Sequence, residues 1–358
     1  MNQLSRYVFS SVFWSVLLTL LVLSSVFIFF DLIAELGDVG KEGYQLKDAL
    51  IYVLLTLPSR VYELLPVAVL IGSIFALSGM ADSSQITVMR VAGVSIIRFS
   101  SWLIACGIAF AALTFVLGEY VSPASNEAAQ RFKVEAKQSV LLGKFRSGVW
   151  VKDKNQIINV VTMNPDMSLE GLRIYVLDDK GAELSQIIDA AHAKYQHKGE
   201  WQLSGVTVTH FQADRVDISA AKNRTWQSAV DPDMLAVLMV KPQDMSVDAL
   251  RSYVSHLEQN KQSTQRYELA MWGKLFYPIA CLSMMLIALP FALAQRRAGN
   301  VGVKIFFGIL LGVSFNFASQ LMSYLGELYN FPSMLVAAFP TLILMSLAVL
   351  FLWKHERG

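Results

Sequence analysis

The sequence predicts an α-helical membrane protein with six transmembrane helices and an all-β, jellyroll-like domain inserted between helices three and four. Three observations predict it. Of 358 residues, 54% are hydrophobic and only 16% are charged, against about 25% charged in an ordinary soluble chain. Six long stretches contain no Asp, Glu, Lys or Arg. The one long polar stretch, between the third and fourth of them, carries short apolar–polar alternations. The net charge of +2 gives no basic field for nucleic acid. Cys106 and Cys281 lie far apart in apolar runs, which excludes a disulfide framework and a zinc site of the usual spacing.

The uncharged runs are Tyr7–Phe30, Leu64–Ala81, Phe99–Gly118, Leu275–Gln295, Ile305–Gly326 and Leu328–Trp353. A helix rises ~1.5 Å per residue, so roughly 20 residues cross a ~30 Å hydrocarbon core. The second run is short and is extended back to about Leu57, which brings Arg60 and Glu63 into its outer end. The first run is longer than the 7–15 residues of a signal-peptide apolar region. No small-x-small site follows Phe30, so it is read as a retained helix. The short segments on one side hold Arg6, Arg90, Arg98, Arg296, Arg297, Lys304, Lys354 and Arg357 against Asp82 and Glu356. The opposite segments are mainly acidic. Lys and Arg collect on the cytoplasmic side, so both termini are placed there and everything between helices three and four outside.

Residues 1–140 thus hold helices one to three, 141–245 the β domain, and 246–358 a connecting helix and helices four to six. Glu119–Val140 has helical composition and continues helix three above the membrane, with a possible kink at Pro123. Val149–Val151, Gln156–Met163, Leu172–Leu177, Gln186–Gln196, Trp201–Phe211 and Arg215–Ser219 read as strands. Turn signals at Asn164-Pro165-Asp166, Asp178–Gly181 and His197-Lys198-Gly199 separate them. Met245–Asn260 reads as a helix capped by Ser246.

Signs of catalysis are missing. The chain has no phosphate-binding Gly-rich loop ending in Lys and Ser/Thr, no nucleophile elbow and no dinucleotide fingerprint. Histidines 192, 197, 210 and 256 show no metal-ligand spacing and read as surface or strand residues. Arg60 and Glu63 are one helical turn apart and can pair at the outer end of helix two; a substrate contact is the other reading of Arg60. Between helices two and three, Asp82-Ser83-Ser84 offers N-cap residues, Gln85–Ala92 two helical turns, and Gly93 a left-handed C-terminal residue. Ile86, Met89 and Val91–Ala92 are placed on one apolar flank of this short cytoplasmic helix, at about 82–93. It either lies on the membrane surface or docks on a separate ATPase subunit. Gly308 and Gly312 form a small-xxx-small pair for close helix packing.

Three helices, an outer β domain, three more helices, and the loop Ser84-Gln85-Ile86-Thr87-Val88-Met89-Arg90-Val91-Ala92-Gly93 together resemble the LptF/LptG family. These are the permease subunits of the lipopolysaccharide export ABC transporter. Ala270-Met271-Trp272-Gly273-Lys274-Leu275-Phe276-Tyr277-Pro278 and Gly148-Val149-Trp150-Val151-Lys152-Asp153 look like the LptG branch. The resemblance implies a non-catalytic inner-membrane subunit without a cofactor of its own. Its implied partners are an LptF-like permease, two LptB-like ATPase subunits that bind ATP and Mg, an LptC-like single-span protein and an LptA-like periplasmic bridge. Lipopolysaccharide leaves the outer leaflet of the inner membrane, passes through the periplasmic β-jellyroll, and serves outer-membrane biogenesis. On that reading Ser84, Gln85, Met89 and Arg90 contact the ATPase. Lys41, Arg60, Arg131, Lys133, Lys137 and Arg297 are the candidate substrate-binding cations, with Lys133 aligning best with a basic position of the family. Two departures stand out: Gln85 where the family usually has Glu, and Ile28–Glu35, which lacks the lysines often found near the outer end of helix one. Two other readings stay open, a permease for another lipid or lipoprotein and a membrane-anchored enzyme or sensor. A permease subunit copurifies with an ATPase and a sister permease; an enzyme would be active through its isolated outer domain.

Overall fold

The computed structural model describes residues 3–41, 43–137, 148–163, 168–178, 183–197, 199–212, 215–228, 230, 241–293 and 301–357. Among these, six helices are long and apolar enough to cross a membrane. In hydrocarbon no water serves the backbone, so each span must satisfy its own N–H and C=O groups, and a helix does so. The helices outlast the uncharged runs that announced them. Helix α1 covers Gln3–Leu36 and α2 Leu46–Asp82. At 34 residues α1 is about 50 Å long, so its outer end, with Asp31 and Glu35, extends past a ~30 Å core. The acidic stretch expected as an outer segment is therefore mostly helical, and only residues 37–45 form the turn. Asp48 closes the start of α2 by accepting from the Gln45 backbone N–H at 2.9 Å.

Helix α3 is Gln85–Val91 and α4 Ile96–Val116, the latter capped by Ser95, whose hydroxyl accepts from the Arg98 N–H at 3.3 Å. A π-helical turn, Leu117–Val121, joins α4 to α5, Ser122–Ala136. Pro123 was the expected kink. Its ring would crowd the carbonyl four residues back in a regular helix, and the wider π-turn at that place lets the chain continue upward as helix.

The outer domain is one sheet of six strands: β1 Val149–Asp153, β2 Gln156–Met163, β3 Leu169–Leu177, β4 Leu184–His197, β5 Glu200–Phe211 and β6 Val216–Gln227. All neighbours are antiparallel and follow chain order. The sheet is thus an open meander among the described residues. Side chains link the end of its last strand to its first two: Trp226 Nε1 donates to Gln156 Oε1 at 2.9 Å, and Ser228 Oγ, just past β6, to Asp153 Oδ2 at 2.7 Å. One face is buried around Ile158, Val160, Leu172, Ile174, Trp201 and Leu203. Strand alternation has a period of two, yet the buried positions step by three once in each central strand: Leu169 to Leu172, Ala190 to Ala193, Leu203 to Val206. These steps lie side by side in the pairing, with Leu169 opposite Ala193 and Ala193 opposite Leu203. Gly171 and Gly205, both at φ +65°, supply left-handed backbone along that line. The aligned break keeps both halves of each strand facing one core. β6 runs well past the Arg215–Ser219 segment that the sequence pattern suggested, because its exposed edge needs no apolar alternation.

After a 3-10 turn, Pro242–Asp244, helix α6 covers Val247–Gln259. Ser246 caps it by accepting from the Ala249 N–H at 3.1 Å. At its far end the Asn260 side chain accepts from the Lys154 N–H in the β1–β2 turn at 2.8 Å. His256 is buried beside Asn260, a difference from the expected surface role. Helices α7 (Gln265–Leu293), α8 (Val301–Tyr329) and α9 (Ser333–Arg357) complete the chain. Helix α7 starts well before its uncharged run. There Glu268 accepts from Ser333 Oγ at 2.8 Å, so its charge is met inside the protein.

Helix α2 is the axis of the membrane part, with Leu65, Val69, Leu70, Ile74 and Leu77 wholly buried. At Gly72 a Cβ would stand 2.5 Å from the Val16 Cα of α1. Cys106 and Cys281 are free and buried.

Replacing Gly205 by Ala is expected to cost about 1–2 kcal/mol from left-handed backbone alone, with its new Cβ only 3.0 Å from that of Ala191. Hydrogen exchange of the full chain in detergent should then show faster exchange in β4 and β5. Unchanged protection there would refute the role given to Gly205.

Candidate functional site

The outer ends of α1, α2 and α5 meet in a cluster of charges that none of them could build alone. Helix α1 brings Asp31 and Glu35. The 37–45 turn brings Asp38, Lys41 and Tyr44. Helix α2 brings Tyr52, Arg60 and Glu63, and α5 brings Arg131 and Lys133, with Lys137 at its C-cap.

Arg60 is engaged on both sides. Its Nε and Nη2 donate to the two oxygens of Asp31 at 2.6 and 2.7 Å, and Nη1 to Glu63 at 2.9 Å. The Glu63 pair was expected from spacing. The Asp31 fork was not, because it spans two helices; planar guanidinium–carboxylate forks are among the stronger charged hydrogen bonds. The fork leaves Arg60 committed to carboxylates of its own chain. Arg131 pairs with Glu127 one turn away on the exposed side of α5.

Lys133 and Lys137 are sheltered, with side chains 15% and 11% exposed. Lys133 pairs with Glu35 and, at 3.3 Å, with Asp38; Lys137 pairs with Asp38 at 2.6 Å. Lys41, largely exposed, meets the same Asp38 at 3.3 Å. Aromatic faces line the group: the Lys133 ammonium lies 4.6 Å from the centre of the Tyr52 ring, and Lys137 5.4 Å from that of Tyr44. Such contacts favour a cation in a partly desolvated place. Tyr44 Oη donates to Glu35 at 3.0 Å. The lysines around Asp38, Lys137 foremost, hold its carboxyl well below the usual carboxylate range. Burial, then the Glu35 charge, pushes the Tyr44 hydroxyl up. Three lysines thus share two carboxylates beside apolar helices.

A second polar joint lies just inward. Lys274, buried, donates to the Gly118 carbonyl of the π-turn at 3.0 Å. Glu119, the next residue, accepts from the Val247 and Asp248 N–H groups at 2.8 and 3.3 Å. A carboxylate there matches the positive end of α6. The π-turn therefore ties the membrane helices to the helix that holds the β1–β2 turn. Lys274 and Glu119 were not singled out as site residues. Their partners are backbone groups distant in sequence, which no local pattern records.

At the cytoplasmic face Ser84 precedes α3 in left-handed conformation, φ +58°, without a side-chain cap bond. Gly93 follows at φ +89° as the expected terminator, its N–H donating to Arg90 O and that of Val94 to Met89 O. The apolar flank is only partly the expected one. Ile86 and Met89 turn inward together and are buried against the protein's own core. Val88 and Val91 face outward instead, with Thr87 and Arg90. A 3.6-residue turn sets Met89 and Val91 about 200° apart, which explains the split. Gln85 Oε1 accepts from Tyr7 Oη at 3.0 Å. Gly308 and Gly312 face α2, where Cβ atoms would meet Ile74 and Val67 at 2.9 Å; this packing is within the chain. Arg297 lies outside the described residues. Among the described residues, no group of three His, Cys, Asp or Glu is placed to hold a metal.

The family model described as lipopolysaccharide export system permease LptF/LptG matches residues 6–354. The chain belongs to the LptF/LptG family. A relative from Haemophilus influenzae named lipopolysaccharide export system permease protein LptG is 26% identical over 357 residues, 99% of each chain. A relative of the same name from Escherichia coli K12 is 29% identical over 341 residues, 94% of each chain. As an LptF/LptG member the protein is a non-catalytic permease subunit of the lipopolysaccharide export transporter. It is a multi-pass inner-membrane protein with both termini cytoplasmic and its sheet in the periplasm.

Two outcomes are expected from this geometry. Arg60→Ala leaves Asp31 without its fork and should destabilise the chain by about 1 kcal/mol, and Arg60→Lys should restore only part, since an ammonium cannot make the planar pair; thermal melting in detergent measures both. Asp38, with its folded pKa depressed, stabilises fully above the ordinary carboxylate value of about 4, and this contribution is lost as pH falls from there toward the folded value. Melting temperature should drop below about pH 4, and Asp38→Asn should make that drop shallower; an identical acid limb would refute the pairing.

Proposed function

We propose that this chain is an LptG-type half of the transporter, working with an LptF-like permease above two LptB-like ATPase subunits that bind ATP and Mg. An LptC-like helix and an LptA-like bridge receive the lipid. The single observation that carries the reading is the sheltered pair Lys133 and Lys137, standing at the outer end of apolar helices where an outer-leaflet lipid presents its headgroup. Ammonium groups bind phosphate by charge-assisted hydrogen bonds, and the adjoining α1 and α2 walls suit acyl chains. Lys41 and Arg131, more exposed, serve at the rim. Arg60 serves the scaffold through Asp31 and Glu63 rather than the lipid. Arg297, on the cytoplasmic side by charge distribution, acts as an orientation charge.

The exposed side of α3, with Ser84, Arg90, Val88 and Val91, meets the ATPase. Gln85 contributes a neutral hydrogen bond there in place of a charged one. The periplasmic meander is one wall of a jellyroll-like container whose buried face, around Trp201 and Trp226, receives the acyl chains.

A mild-detergent pull-down of the tagged chain, with mass spectrometry of protein and lipid, tests this. Recovery of an ATPase, a sister permease and lipopolysaccharide is expected, and Lys133→Gln with Lys137→Gln should lower the recovered glycolipid several-fold while the proteins remain. Recovery of the chain alone, or with a lipoprotein in place of glycolipid, would overturn the assignment of cargo.

A further inference from the structure

The two carboxylates that neutralise Lys133 and Lys137 come from elsewhere than α5. Glu35 lies at the end of α1, and Asp38 sits on the turn after it. Helix α5 packs mainly along α2 and has no comparable backbone contact with α1. Among the described residues, the ion pairs of long side chains join the two. The turn carrying Asp38 includes Gly40 and Gly43 at φ +89° and +82°, whereas the lysines lie at the end of a regular helix.

Each carboxylate also has a second partner on its own segment. Glu35 accepts from Tyr44 Oη at 3.0 Å, and Asp38 pairs with Lys41 at 3.3 Å. If α1 and its turn let go of α5, neither carboxylate is left without a partner. The lysines have no such reserve in their own segment: among the described pairs, their anions are Glu35 and Asp38 only. A sheltered ammonium without an anion is costly.

We propose that Glu35 and Asp38 are specificity-determining residues that occupy the lysine site until a lipid bearing two phosphate groups displaces both. The inference rests on the phosphate reading of Lys133 and Lys137 given above. A ligand with two phosphates replaces both ion pairs and frees α1 and its turn from α5. A ligand with one phosphate exchanges with one carboxylate only, and the remaining pair still holds α1 and its turn on α5, so it does not open the site. The site thereby discriminates a bis-phosphorylated glycolipid from the mono-anionic glycerophospholipids that surround it, by exchange rather than by an empty cradle.

Binding to the purified full-chain complex in detergent tests this, with three probes: a bis-phosphorylated glycolipid, phosphatidylglycerol and inorganic phosphate. Glu35→Gln with Asp38→Asn should raise affinity for phosphatidylglycerol about tenfold, the effect of ~1.4 kcal/mol, and that for the glycolipid less, so that discrimination narrows. Asp38→Asn alone, which keeps the Lys133–Glu35 pair, should give a smaller change in the same direction. It serves as the deciding variant if the double variant melts early. In a background of Lys133→Gln and Lys137→Gln the carboxylate changes should have no effect, which separates exchange from a general loosening of the helix ends. Tighter binding of inorganic phosphate with no change for either lipid would make the pair a free-anion site and overturn the lipid gate. If the lysine changes weaken glycolipid binding but the carboxylate changes leave discrimination unaltered, the gate fails and the phosphate reading stands. If the lysine changes leave binding intact, the phosphate reading itself fails and the gate with it.

Discussion

Helices in hydrocarbon gain little by hiding apolar side chains from lipid, which is as apolar as they are. They hold together by close approach and by polar groups satisfied between them. In this protein that constraint makes α2 the element on which the rest depends. It is buried along most of its apolar length, and α1 crosses it at Gly72 where no side chain fits. Helix α8 lies against it through Gly308 and Gly312. By contrast α1 and α8 remain largely exposed elsewhere, with rows such as Leu18, Leu21, Phe29, Phe306, Val313 and Phe317 facing outward. A subunit of a membrane transporter needs such surface toward lipid.

Outside, almost every candidate cation is met by a carboxylate of the same chain: Arg60 by Asp31 and Glu63, Arg131 by Glu127, Lys133 and Lys137 by Glu35 and Asp38. Half-sheltered ammonium groups are expensive to leave unpaired. The acids at the end of α1 and on the turn after it supply those partners. Acids standing where the family often has lysines thus have a place in the structure.

Among the described residues, two side chains join the periplasmic side to the membrane side. Glu119 of the π-turn holds the start of α6, and Asn260 at its end holds the β1–β2 turn. Lys274 fixes the π-turn itself. Movement of helices three and four therefore has a short route to the sheet, carried by one amphipathic helix packed on α7 through Leu250, Tyr253 and Leu257.

Sequence alone determined the features that depend on composition and local period. Six uncharged runs dictated six spans, because a chain this apolar crosses lipid as helices, and the Lys and Arg bias dictated their orientation. The first five strands and the Ser246 cap were legible for the same local reason. Legibility ended where a partner is distant or a face is exposed. Helix ends ran past the uncharged runs because Asp31, Glu35 and Glu268 find partners on other elements. Most of β6 was hidden because an exposed edge carries no alternation, and Val91 was placed on the wrong flank because two turns of helix leave its facing to the surrounding core. The candidate cations were visible one by one. Only the tertiary structure decided which carboxylate each of them meets, since an ion pair depends on the distance between charges, and folding alone brings residues 35 and 38 to residues 133 and 137.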